Sequence, residues 1–372
     1  MSKTAKVITA LIIIIVVIWV IVAQRPAASE TVKIGVIAPL TGARADAGEY
    51  SRNALEIAEK DINESGGKYK VSFVVEDSRY EAQTAVSALR KLIDLDNTKF
   101  IIGPYGSSEV MAAGPVAEQS QVLMIVTGAQ SSEISQLGDY VFRMIHNSDQ
   151  EAPIFARFVA GKMKSDTIHF LALNTAITDP YVKTFRSVIE AQGKKVGLIE
   201  KFDSKANDFR TELSKVKSLN PTDIFLIITP KQGAVLLKQA NELGITAQFY
   251  NIGVEGPELL TQSDGASEGL LYPYSYDDLN SDSSVRSFYD SYKGQFGTSP
   301  DTIAANTYDA ARLIHSCFEK VGINVVAVKA CLYETKDYHG AGGTFSIDEK
   351  GDAIKSIFVK MIKDGKFVRY EE

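Results

Sequence analysis

The chain is poor in the features that mark most chemistries. It has only two cysteines, Cys317 and Cys331, and four scattered histidines in 372 residues. Two cysteines at this spacing are half a zinc site, and no histidine sits at helical spacing from another, so the sequence offers no metal centre. Outside the cell the two cysteines could pair, or they could stay as buried thiols; the sequence leaves both open. Phosphate-loop, dinucleotide and nucleophile-elbow signatures are all missing. Carboxylate pairs such as Asp149/Glu151 and Asp277/Asp278 fall in loop-like sequence without a marker of acid–base work. We therefore expect no enzyme and no cofactor. The formal net charge is −6, and no Lys/Arg run with interleaved aromatics occurs, which argues against nucleic acid as a partner.

What is present begins at the amino end. Residues 1–6 carry Lys3 and Lys6, and residues 7–23 form an uncharged run rich in Ile and Val. That run is about the minimum for a spanning helix. A cleaved signal peptide is the rival reading, with Ala23 or Ala27-Ala28 at its cleavage site. The flanking lysines favour a cytoplasmic amino end. In both readings the bulk of the chain is exported, to the periplasm or the cell surface, behind a tether at residues 24–31. As an anchor, the run makes this a single-pass membrane protein. No Cys directly follows the run, so a lipid-attached cysteine is excluded.

Beyond the tether, apolar β-branched runs alternate with amphipathic stretches. Strands are expected at 32–38, 71–75, 100–103 and 122–126, with helices at 49–63, 82–95 and from Ser107. The rhythm restarts after residues 145–151. Strands follow at 168–173, 196–202, 224–229 and 249–252, with helices between them. This predicts an α/β fold with two similar lobes, each a mainly parallel sheet covered on both faces. The last third reads as helices at 284–296, 304–318 and 325–334. A hairpin then joins 357–362 to 367–370 through Asp364-Gly365.

In open parallel sheets, ligands bind beyond the carboxyl ends of strands. Three such segments stand out in the first lobe: residues 39–48, 103–109 and 127–133. In the second, Ser107 reads as an N-cap whose helix start could hold a carboxylate; it could equally cap only its own helix. In the second lobe, Tyr181 follows Thr178-Asp179-Pro180 at a helix start. Glu255 lies between glycines just past a strand, as a partner for an ammonium group or as a solvated loop acid.

Several segments together carry a resemblance. They are Ile34-Gly35-Val36 with Pro39-Leu40-Thr41-Gly42, Ile102-Gly103-Pro104-Tyr105-Gly106-Ser107-Ser108, Asp139-Tyr140-Val141-Phe142-Arg143, Glu268-Gly269-Leu270, and Tyr338-His339-Gly340-Ala341-Gly342-Gly343 with Gly351-Asp352. In order and in register, they resemble the leucine/isoleucine/valine-binding proteins, the type I periplasmic solute-binding proteins of ABC importers. The resemblance implies two Rossmann-like lobes joined by a three-segment hinge. Crossings are placed near 145–151, 274–278 and 343–347. Lobe 1 is then 32–147 plus 277–345, and lobe 2 is 148–276 plus 346–372. It also implies a small-molecule ligand, probed first as an amino acid, and an ABC permease as partner. Ser107, beside Tyr105, maps to the ligand-carboxylate position. Gly128 and Gln130, with Ser131 adjacent, map to the loop holding ammonium and carboxylate. Tyr181 maps to the second-lobe tyrosine, and Glu255 to the acid that pairs with the ammonium. Arg44, Asp46 and Ala47 stand where the branched-chain binders carry an aromatic side chain, which suits a more polar ligand. The same fold also serves receptors, so a ligand-sensing extracellular domain is the alternative.

Overall fold

The computed structural model describes residues 29–253 and 255–371. The segment expected to anchor the chain, 7–23, lies outside the described residues. Among those described, no helix is long and apolar enough to cross a membrane.

The first sheet starts with β1 (Glu30–Ala38), whose last five residues are all buried because helices cover both faces. It is followed by α1 (Ala45–Glu64), β2 (Tyr69–Asp77), α2 (Ala82–Asp94), β3 (Phe100–Ile102), α3 (Ser107–Gln119), β4 (Leu123–Val126) and β5 (Val141–Arg143). The five strands are parallel, in the order β2-β1-β3-β4-β5. On one face, α2 and α3 bury Leu89, Leu92, Val110 and Ala113 against Ile37 and Ile101. Parallel strands enclosed in this way read as unbroken apolar runs, which is why they are visible in the sequence.

The second sheet is built by α4 (Ser148–Lys162), β6 (Thr167–Leu173), α5 (Thr178–Ala191), β7 (Lys195–Phe202), α6 (Arg210–Lys217), β8 (Asp223–Ile227), α7 (Pro230–Glu242), β9 (Gln248–Asn251), α8 (Pro257–Thr261) and β10 (Leu271–Tyr274). The chain then returns to the first lobe through α9 (Ser283–Phe296), α10 (Thr302–Val321) and α11 (Val325–Tyr333). Leu313, Ile314 and Phe318 of α10 pack with Val32 and Ile34 of β1, covering the other face of the first sheet. Cys317 and Cys331 form a disulfide between α10 and α11.

A small antiparallel sheet follows: β11 (Tyr338–Gly340), β12 (Gly343–Ile347) and β13 (Ala353–Ile354). It corrects the expected lobe boundary at 345/346. Phe345, Ile347 and Ala353 belong to the first-lobe core. Asp352 bridges to Arg143 of β5 and pairs with its buried guanidinium at 2.8 Å. The first lobe therefore keeps the chain to Ile354, and the third crossing falls between residues 354 and 358. Only then do β14 (Phe358–Lys363) and β15 (Lys366–Arg369) add antiparallel strands to the second sheet, giving the order β15-β14-β10-β9-β8-β6-β7. Asp364 and Gly365 both have positive φ, the conformation that a two-residue hairpin turn requires.

Candidate functional site

Loops at the carboxyl ends of strands in both sheets meet around one cavity. It has a volume of about 50 Å3, several times the roughly 10–15 Å3 that one water needs. The first-lobe wall is Arg44, Tyr80, Tyr105, Gly106, Ser107, Gly128 and Gln130. The second-lobe wall is Leu173, Thr175, Ile177, Ile227, Ile228, Thr229 and Ile252. Four residues singled out in the sequence (Tyr105, Ser107, Gly128 and Gln130) thus share one wall.

Local geometry explains how each is held. Gly106, not Ser107, is the N-cap of α3, and Glu109 reaches back to accept the Gly106 N–H at 2.6 Å. Burial pushes the Glu109 carboxyl up to about 7, opposed by that hydrogen bond and by Arg44. Ser107 is consequently the first helical residue and does not cap its own helix. Its Oγ instead accepts the Ser131 N–H at 3.2 Å. Gly128 lets the β4 loop press on Tyr105, since a Cβ there would lie 2.3 Å from the Tyr105 ring. Gln130 donates from Nε2 to Glu151 at 2.9 Å and lies 2.8 Å from His146 Nε2, in a buried cluster.

Arg44 is almost fully buried. Its Nε and Nη2 donate to Asp46 at 2.9 and 2.8 Å, and its Nη1 donates to the Tyr105 hydroxyl. The guanidinium carbon also stands 4.5 Å from the Tyr105 ring centre. Across the cleft, the Ala176 N–H donates to Ser108 Oγ at 3.1 Å, and Lys205 pairs with Glu81 at 2.9 Å.

Three expected site residues lie elsewhere. Ser131 is fully buried behind Ser107, and its carbonyl accepts from Arg143 at 2.8 Å. Tyr181 is also fully buried, packed on Phe185 and Phe225 in the second-lobe core. Helix α5 begins at Thr178, so the first turn aims Tyr181 at the sheet. Burial and nearby Glu151 hold its hydroxyl well above the usual range. Glu255 does not line the cavity with Ser107. It pairs with Lys360 of β14 at 2.7 Å and accepts from the Tyr272 hydroxyl at 2.6 Å. It faces a separate cavity, with Tyr50, Tyr276 and Asp301. The strand-end rule covers Thr175 after β6 and Thr229 after β8, which the sequence reading did not single out.

With this geometry in place, the chain can be compared with known proteins. The profile of the periplasmic binding protein family matches residues 31–366. The chain belongs to that family. Among periplasmic binding proteins, it is 27% identical over 331 residues to the "Leucine-, isoleucine-, valine-, threonine-, and alanine-binding protein" of Pseudomonas aeruginosa, covering 87% of this chain and 88% of that one. It is 25% identical over 343 residues to an "Amino acid binding protein" of the same organism, covering 90% and 91%. The crystal structure of a leucine binding protein from Thermotoga maritima superposes with a TM-score of 0.86 at 26% identity, covering 91% of this chain and 98% of that one.

Proposed function

We propose that this chain is the extracytoplasmic solute-binding component of an ABC importer, and that it holds an amino acid or a related small polar solute between its lobes. The observation that carries this reading is a cavity at the carboxyl ends of strands in both sheets, with Ser107 and the start of α3 on one side and Thr175 and Thr229 on the other. The relatives named for amino acids support the ligand class. The Cys317–Cys331 disulfide suits an oxidising compartment outside the cytoplasm.

The mechanism follows from the two walls. Free N–H donors at the start of α3 and the Ser107 hydroxyl receive the solute's carboxylate. The rest of the solute lies against the second lobe. A solute touching both lobes binds the closed form more tightly than the open one, and that difference drives closure. The closed molecule then docks on a permease. The test is thermal or chemical denaturation of the purified full chain with a panel of amino acids and their close analogues. At a concentration about a hundred times the dissociation constant, a true ligand adds about 2.7 kcal/mol of stability. No shift with any member of the panel would overturn the reading.

A further inference from the structure

We propose that the interlobe cavity recognises a carboxylate and an apolar body but no ammonium group, so its preferred solute is a small monocarboxylate without a free amino group. This narrows the cleft reading above and rests on it.

Among the described residues, Arg44 is the one charged side chain on the cavity wall. Asp46 and Tyr105 engage three of its nitrogens (Nε, Nη2 and Nη1). A guanidinium carries five N–H donors, so two remain for an anion. Ser107 and the α3 start lie on the same wall.

Acids do approach the wall, but each stands behind a donor and is bound to it. Asp46 holds Arg44, Glu109 holds the Gly106 N–H, and Glu151 holds the Gln130 amide. These carboxylates orient donors toward the cavity and do not themselves form its wall. Glu255, the acid expected to receive an ammonium, is neutralised by Lys360 and faces another cavity.

Most backbone acceptors of the β4 loop are engaged as well, Gly128 excepted. Of the five carbonyls from Thr127 to Ser131, four already accept internal bonds: Thr127 from Asn306, Ala129 and Ser131 from Arg143, and Gln130 from the Ser148 N–H. An ammonium group drawn into this cavity would lose its hydration without a carboxylate on the wall to pair with directly, which is costly. An apolar body, in contrast, meets Leu173, Ile177, Ile227, Ile228 and Ile252 on the second lobe.

Calorimetric titration of the full chain with matched pairs tests this. The pairs are L-leucine against 4-methylpentanoate, L-phenylalanine against 3-phenylpropanoate, and L-alanine against propanoate. Within each pair only the ammonium group differs. The expected result is at least tenfold tighter binding of the plain carboxylate in any pair that binds. Arg44→Gln should then weaken that carboxylate at least tenfold. If Arg44→Gln does not fold, the matched pairs on the natural protein still decide. An amino acid that binds as tightly as its partner, or more tightly, overturns this inference and leaves the cleft reading standing. If no member of any pair binds, this inference fails. The cleft reading then fails as well only if the wider panel is also silent.

Discussion

Glu255 illustrates how a side chain's role is set by what lies opposite it. Both members of its pair with Lys360 are mostly buried, so the pair resists screening by solvent. Removing one partner strands the other charge, which typically costs about 3–5 kcal/mol. We expect Glu255→Gln to lower the stability of the unliganded protein by an amount of that order, measured by urea denaturation. Loss of ligand affinity with stability unchanged would instead return Glu255 to the ligand site. A loop acid between glycines is easy to notice in the sequence, but its partner on β14 is not, because that pairing depends on how distant strands are ordered. Ser107 and Gly128 were easier to find: each sits just past a parallel strand, where the fold itself directs attention. Tyr181 lies away from the cavity for a smaller reason. The sequence places it at a helix start but does not say which way that first turn faces, and the turn faces the sheet.

At the scale of elements, the disulfide ties α11 to α10 across a sequence separation of 14. Closing a loop of that size contributes about 3 kcal/mol by restricting the unfolded chain. The double variant Cys317→Ala/Cys331→Ala is expected to lose about that much stability, again by urea denaturation; an unchanged midpoint would show the bond to be dispensable. The elements themselves differ in how readable they are. The long α/β series is visible because its strands are continuous apolar runs and its helices carry one buried stripe. The hairpin of β14 and β15 announces itself through Asp364-Gly365. The strands β5 and β11–β13 gave no such signal. They are two to five residues long, two of them begin or end in glycine, and their partners are set by tertiary structure. That omission is what shifted the expected lobe boundary from Ile354 to residue 345.

For the whole molecule, the proposed function makes closure of the two lobes on a solute the coordinate that matters. The Ala176–Ser108 hydrogen bond crosses between lobes beside the cavity, and on the proposed function it would be broken when the lobes separate. A neutral hydrogen bond contributes about 1 kcal/mol net, or about fivefold in an equilibrium constant. Ser108→Ala should therefore weaken solute binding by about fivefold while the unliganded melting temperature stays nearly constant. Calorimetric titration beside a thermal melt separates the two effects. The exposed Lys205–Glu81 pair spans the same gap but should matter less, because exposed ion pairs contribute little.

The return of the chain to its first lobe has a consequence for how the protein is made. Arg143, buried at the edge of the first sheet, finds its carboxylate 209 residues later, at Asp352. The second sheet likewise waits for β14 and β15 before its edge is complete. Neither half can finish while the polypeptide is still emerging, so assembly of this molecule follows delivery of nearly its entire length.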